Sequence, residues 1–562
     1  MPRRAGTGVA LMALGAVLAG CAGIPTSGSV VEGEAVGEPQ RPVPVRFEAN
    51  PPLPGASEEG IVQGYLDAMA SYQRDYPTAR EFLAPDAAAT WQPDDGMTIY
   101  TAGAEAVTTT RGQVRLTMTV QATITPELGY VGQPARTTED FDLALEQVEG
   151  EWRIVNPPAG LLVSDQDFES EFRAYNRYFF DPELEVLVPD PVYLPVQGSE
   201  TTLLAEALLQ GPTGWLAPAV YTAFPDETAL GVPVTLEGGR ASVELTTEAI
   251  TDTTDERRAL MAAQLAWTLE QVDTVQQVSV TSGRVPLTDD RTARASESFG
   301  RYDPAALPRN RDLYAVTDAG VVVGAELMPV PGPLGALQGV RALAVDPTTA
   351  RAAVVDESGT QLLWAPFDDD AAATLLAAGT ELVAVSWDRT GLVWAVDRTT
   401  TGSRVLVARP DAEAMTIPAA DFGGRRIDDV AVSFDGTRVA VLSGGRLLIG
   451  VVLRDPEQGG AVRVEGLREI ELDGRTVDAM AWAGPVEVAV LARDAGGGAA
   501  PFRVGLSNLV LRPGGIVPGA VSLAATTDQG LVVGTDDGQL LQQNATLRWV
   551  ELGPARTPAF PG

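Results

Sequence analysis

The sequence predicts a multidomain α+β and all-β chain: two domains mixing helices and strands, then a C-terminal β-propeller of five or six blades. Three observations predict this. The chain has 562 residues, 45% hydrophobic and 20% charged, enough apolar matter for several cores. Helical and strand-like periodicities alternate up to about residue 287. Beyond residue 300 an apolar strand, an Asp/Gly turn and a second apolar strand recur from Val340, Leu382, Ile427, Val477 and Ala520. The spacings of 42, 45, 50 and 43 residues match one four-stranded blade.

Composition excludes several function classes. Forty basic residues against 75 acidic ones leave a net charge of −35. That balance repels phosphate backbones and anionic bilayer surfaces, so nucleic acid is not an expected partner. The chain has no His and no Lys, so every basic residue is Arg. A Ser-His-Asp triad, a Cys-His pair and His-ligated zinc or haem are therefore excluded. So are a Walker A lysine, a pyridoxal Schiff base and a kinase active site. The one cysteine excludes an intrachain disulfide, a CxxC pair and a multi-thiolate metal site. Neither a cofactor nor a metal is expected, and carboxylates, hydroxyls, Tyr and Arg remain for any chemistry.

Residues 1–20 read as a signal peptide, with Arg3 and Arg4 as the cationic start and an apolar stretch over 9–18. Ten helical residues span about 15 Å, too short for a hydrocarbon core of about 30 Å. The stretch ends Leu18-Ala19-Gly20-Cys21, which resembles the bacterial lipobox. That resemblance implies cleavage between Gly20 and Cys21, with S-diacylglyceryl and N-acyl groups (palmitate-type chains) on Cys21. Residues 21–50 are rich in Gly and Pro and poor in large apolar residues. They read as a flexible lipidated tether.

The first folded region, 51–162, opens with Ser57 as an N-cap, followed by Glu58 and Glu59 in the first helical turn. Ile61, Tyr65, Met69 and Tyr72 form one apolar helix face. Alternating strands follow at 114–120, 141–145 and 151–155. A helix followed by a curved sheet ending in Gly150-Glu151-Trp152-Arg153-Ile154 resembles the NTF2/cystatin-like cone. Trp91, Tyr100 and Trp152 read as core aromatics that could also line a pocket in such a cone.

In the second region, 180–287, strands are expected at 184–188 and 192–196, then a helix N-capped by Ser199 and stopped at Gly211-Pro212. Strands at 232–236 and 241–245 flank a Gly238-Gly239 turn. A helix from Thr254 carries Met261, Leu265, Leu269 and Val272 on one stripe, before a last strand at 275–281. The segments around Tyr193–Thr213, Phe224–Leu230 and Arg258–Val278 resemble a GerMN domain. Glu206, Asp226, Glu244 and Glu270 are scattered in sequence and read as solvated surface carboxylates.

In the third region, 300–562, Asp346, Asp388 and Asp435 occupy equivalent turns, where their side chains are expected to hydrogen-bond the backbone. Strands at 313–316, 321–325, 540–541 and 547–552 are expected to close the ring, because an open one exposes unpaired edges.

Lipobox, tether, cone-like domain, GerMN domain and propeller in this order resemble the LpqB family of envelope lipoproteins of high-G+C Gram-positive bacteria. The Cys21-Ala22-Gly23-Ile24-Pro25-Thr26 start resembles that family's mature N-terminus. The resemblance implies a non-enzymatic protein, lipid-anchored at the extracytoplasmic face of the cell membrane. It also implies a partner, the extracytoplasmic domain of an MtrB-like sensor histidine kinase, through which the MtrA/MtrB two-component system is modulated in cell-wall homeostasis and division. Two other readings stay open: a carboxylate-dependent hydrolase of cell-wall glycan and a glycan-binding scaffold. The acidic runs that a hydrolase would draw on are Asp94-Asp95, Asp289-Asp290, Asp368-Asp369-Asp370, Asp428-Asp429 and Asp536-Asp537.

Overall fold

The computed structural model describes residues 49–562 apart from 104–105, 197–198, 290–292, 306–310, 411, 456–460, 495, 507–511, 528–529 and 545. Gly20, Cys21, the signal peptide and nearly all of the tether lie outside the described residues. Among the described residues, no helix is long and apolar enough to cross a membrane.

The first unit begins with helix α1 (Glu58–Ala70), capped by the Ser57 hydroxyl accepting from the Gly60 amide at 3.2 Å. Its apolar face, Ile61, Tyr65 and Met69, is wholly buried. Two short helices, α2 (Pro77–Arg80) and α3 (Pro85–Thr90), start with Pro at the first helical position, where its missing N–H costs nothing. The sheet comprises β1 (Met97–Tyr100), β2 (Ala106–Thr110), β3 (Gln113–Ile124), β4 (Tyr130–Val148), β5 (Glu151–Ile154) and β6 (Leu161–Ser164). Strand order is β5-β4-β3-β1-β6, with β2 continuing along the β3 edge that β1 occupies. The two-residue alternation along β3 sends Val114, Leu116, Met118, Val120, Ala122 and Ile124 inward. Strands β1, β2 and β6, of four, five and four residues, are additional to those expected.

Helix α4 (Asp165–Glu171) leads into the second unit, which opens with a long antiparallel ribbon of β7 (Phe172–Phe180) and β8 (Leu187–Pro195). The expected strands 184–188 and 192–196 are thus one strand. It carries Pro189 and Pro191 because the ribbon has only two strands, and missing N–H groups can face away from the ladder. Next come α5 (Glu200–Leu209), β9 (Thr235–Glu237), β10 (Arg240–Leu245), α6 (Asp255–Leu269), β11 (Gln277–Ser282), β12 (Val285–Pro286) and α7 (Ala295–Ser298). The order is β12-β11-β10-β9, and α6 is the crossover between the parallel pair β10 and β11. The helix expected from Thr254 forms, and Thr254 caps it, its hydroxyl accepting from the Arg257 amide at 3.2 Å. Ser199 precedes α5 but makes no capping hydrogen bond through its side chain, a correction to its expected role.

The apolar stripe of α6 buries Met261, Leu265 and Leu269. A second, polar stripe feeds the free edge of β7. The Gln264 amide donates to the Tyr178 carbonyl at 2.7 Å and its oxygen accepts from the Ala223 amide at 2.8 Å. The Thr268 hydroxyl accepts from the Tyr178 amide at 3.2 Å, and Gln271 exchanges two bonds with the Asn176 backbone. A two-stranded ribbon buried among helices would otherwise leave those backbone groups unpaired.

The C-terminal region is a propeller of six four-stranded sheets. The five repeats supply the first two strands of blades two to six, for example Leu382–Trp387 and Val393–Thr399 in blade three. Blade one is shared: Tyr314–Val316, Val321–Val323 and Met328–Pro329 come from the start of the region, and Arg556–Ala559 from its end. The expected strand over 547–552 instead completes blade six as Trp549–Pro554. Ring closure falls to the next strand, whose Arg-Thr-Pro-Ala sequence carries no apolar alternation to announce it.

The equivalent turns share an Asp-x-Thr sequence, and all three Asp side chains are buried. Asp388 accepts from the Thr390 and Leu392 amides at 2.9 and 3.0 Å, from Trp394 Nε1 at 3.0 Å and from Arg454 at 2.9 Å. Asp435 accepts from the Thr437 amide at 2.8 Å and from Arg438 at 3.1 Å, and Asp346 from the Thr348 amide at 2.7 Å and Arg351 at 2.7 Å. Replacing Asp388 by Ala strips partners from a buried indole N–H and a largely buried guanidinium. Asp388→Ala should therefore destabilise the propeller by about 3 kcal/mol, measured by denaturant unfolding.

Candidate functional site

Two features bear on function: the junction that joins the units and the channel through the propeller. The junction starts on the β7–β8 ribbon, where Arg177 and Asp190 face each other across the ladder. Arg177 is fully buried and donates to Asp190 at 2.7 Å and to the Ala207 carbonyl at 3.1 Å. Asp190 also accepts from the Thr213 amide at 2.7 Å and hydroxyl at 3.0 Å. Buried ions survive only when paired in this manner.

The propeller joins this ribbon through the turns that its repeat creates. Arg438, 1% exposed, is held by Asp435 and donates to the Pro189 carbonyl of the second unit. From the equivalent turn of blade three, Arg389 donates to Asp181 and, at 3.1 Å, to Glu185. Burial pushes the Asp181 carboxyl up, opposed by the Val186 amide, Arg389 and the Glu185 amide. Trp215 donates to the Gly466 carbonyl at 2.6 Å, and the Arg468 guanidinium lies 4.9 Å from its ring centroid. A cavity of about 90 Å³ at this junction is lined from all three units, by Tyr130, Asp190, Trp215, Arg438 and Arg468 among others.

The channel encloses about 480 Å³ and is walled by the innermost strand of every blade, including the C-terminal closing strand. Of its charged residues, Arg341, Asp428, Asp429 and Asp478 lie just before or near the start of inner strands, and Arg398 lies near the end of the second strand of blade three, beside the start of that blade's inner strand. The turns that grip the second unit follow the same strands, so the charged mouth and the junction lie at opposite ends of the channel. Arg398 pairs with Asp428 at 2.9 Å, and Arg493 with Asp478 at 2.6 Å. Asp429 is pushed up to about 7 by burial, helped by the neighbouring Asp428 charge and opposed by the Val430 amide and Arg398.

The residues singled out in sequence are dispersed. Trp91 and Tyr100 are buried and Trp152 half-buried; the Trp91 indole donates to the Pro158 carbonyl at 3.1 Å and stands edge-on to Tyr65. These are core aromatics. Asp226 is exposed, as expected. Glu244 and Glu270 correct the solvated reading: Glu244 bonds Thr281 and the Arg284 amide, and Glu270 accepts from the Ala295 amide at 2.7 Å. Of the acidic runs, Asp95, Asp289, Asp368–Asp370 and Asp536–Asp537 are exposed, Asp290 is outside the described residues, and Asp94 edges a cavity between the first two units. Asp428 and Asp429 line the channel, but the Asp428 oxygens are taken by Arg398 and, at 2.8 Å, the Gly444 amide. Among the described residues, no group of three His, Cys, Asp or Glu side chains is placed to hold a metal ion.

A six-bladed propeller clasped by ion pairs to an α/β unit defines a multidomain propeller protein. Family models match along the chain: the N-terminal domain of lipoprotein LpqB over 51–169, sporulation and spore germination (the GerMN domain) over 176–288, and the lipoprotein LpqB β-propeller domain over 316–561. The chain is 31% identical to lipoprotein LpqB of Streptomyces coelicolor, across 100% of this chain and 98% of that one. It is 29% identical to lipoprotein LpqB of Thermobifida fusca, across 100% and 99%. Tandem GerMN domains of the sporulation protein GerM from Bacillus subtilis are a remote structural neighbour, with TM-score 0.20 and 15% identity over 27% of this chain and 59% of that one. The chain belongs to the lipoprotein LpqB family.

Two predictions follow from the geometry. Arg177→Met leaves Asp190 buried without its counter-ion and should cost about 3–5 kcal/mol in denaturant unfolding, part of which Asp190→Asn in the same chain restores. Because the fold raises the Asp429 pKa above its unfolded value, the folded state holds a proton that the unfolded state has lost. Stability therefore falls as pH rises from about 4 to about 7. Asp429→Asn should flatten that part of a melting-temperature profile and raise the melting temperature above pH 7.

Proposed function

We propose that this protein is an extracytoplasmic accessory lipoprotein, non-enzymatic, held on the cell membrane through acylated Cys21 after cleavage behind Gly20. In this reading residues 1–20 are the signal peptide, 21–50 the tether, 51–162 the cone-like domain, 180–287 the GerMN domain and 300–562 the propeller. Its partner is the extracytoplasmic domain of an MtrB-like sensor kinase, whose signalling to MtrA it modulates in cell-wall homeostasis and division. Full-length similarity to the LpqB lipoproteins supports the lipoprotein role.

The observation that carries an interaction role is the polarity of the propeller. One end of the inner strands is occupied by the GerMN domain, while the charged mouth around Arg341, Arg398, Asp428 and Asp478 lies at the other end. A loop-rich propeller face is a docking platform. A tether confines it near membrane-embedded partners at high effective concentration.

The test is crosslinking in intact cells, with the kinase quantified in the recovered complex. Charge reversal at the mouth, Arg341→Glu with Asp478→Arg, should lower kinase recovery by about ten-fold while the melting temperature stays near wild type. Cys21→Ser should move the protein to the aqueous fraction and lower recovery as well. Equal recovery from wild type and the mouth variant would remove this face from recognition, and a membrane-bound Cys21→Ser protein would defeat the anchor.

A further inference from the structure

A cavity of about 660 Å³ lies between the first unit and the GerMN domain. Its size and its position at a domain interface are those of small-molecule sites. The inner wall is apolar and half of it aromatic: Tyr76, Met97, Ile124, Leu161, Phe172 and Tyr193 line it and are all buried. The rim is acidic. Asp75 and Asp94 are exposed there, and Glu206 stands half-buried on α5, three carboxylates against the single guanidinium of Arg74.

These charges converge on one group. Tyr72 is half-buried at the cavity, and its hydroxyl is held above the usual tyrosine range by burial first, then by Asp94, Glu206 and Asp75, against Arg74. Asp75, Asp94 and Glu206 thus line the same cavity as Tyr72. The lining backbone is also costly: Asp75, Tyr76 and Leu128 hold left-handed conformations at φ 63°, 49° and 68°. Such conformations are unfavourable for residues other than glycine.

We propose that this cavity binds a small organic cation, its ammonium group at the acidic rim beside Tyr72 and Glu206 and its apolar body against Phe172 and Tyr193. An apolar pocket with an anionic mouth suits such a molecule in that orientation. Its body leaves water while its charge stays partly solvated and close to opposite charge and to an aromatic face. A neutral analogue forgoes the electrostatic part, and an anion is repelled.

The experiment titrates the full chain with phenethylammonium, 2-phenylethanol and 3-phenylpropionate by saturation-transfer-difference NMR. The ammonium should saturate at least about five-fold more tightly than the alcohol, and the carboxylate should not saturate. Asp94→Asn with Glu206→Gln should bring the ammonium down to the alcohol's affinity. Leu203→Trp, which fills the cavity from the half-buried face of α5, should abolish both, with the melting temperature confirming that each variant folds. Equal binding of alcohol and ammonium, unchanged binding in the double variant, or no saturation by the ammonium would overturn the proposal.

Discussion

Arg438 is the side chain on which the assembly of this molecule turns. Its guanidinium is almost wholly buried, held by Asp435 from its own blade and by the Pro189 carbonyl of the GerMN domain. One residue further along that ribbon, Asp190 closes the Arg177 pair, also buried. Such pairs contribute little net stability over apolar residues of the same size, because desolvation offsets most of the Coulomb gain. Their effect is selective: a docking shifted by one residue would strand a buried charge, so only one register between ribbon and propeller is tolerated.

The same turn chemistry therefore works at two levels. Within a blade, the buried Asp of the Asp-x-Thr turn satisfies backbone amides and locks the hairpin. Between domains, the Arg beside it in blades three and four reaches the GerMN domain. Blade two has the Asp but spends it on Arg351, within its own blade. A repeat that is uniform for folding has thus been differentiated for docking, and this decides which end of the channel stays clear for a partner.

Legibility in the sequence followed the length and regularity of each signal. Helix α1 and its Ser57 cap, α6 and its start at Thr254, and the paired strands of five blades were readable, because a buried face imposes a period of 3.6 or 2 on the residues. The short strands β1, β2 and β6 and the closing strand Arg556–Ala559 were not: β6 is buried at all four positions and so shows no alternation, and Arg-Thr-Pro-Ala carries no apolar alternation. The ribbon strand β7 escaped for another reason. Its outer edge is served by side chains on and just after α6, and Gln264, Thr268 and Gln271 look like ordinary polar residues until the ribbon is laid against them.

By itself, then, the sequence determined the repeating hairpins, the principal helices, the absence of histidine and lysine chemistry, and a lone cysteine in a lipobox-like setting. Tertiary structure alone decided how many blades close the ring, which arginines become interdomain contacts, and which carboxylates gather round a cavity or shift their proton affinity. The physical reason is range. Periodicity records the burial of a residue among its near neighbours, whereas Arg438 meets Pro189 across 249 positions of chain, and Asp429 owes its raised pKa to burial in the channel wall.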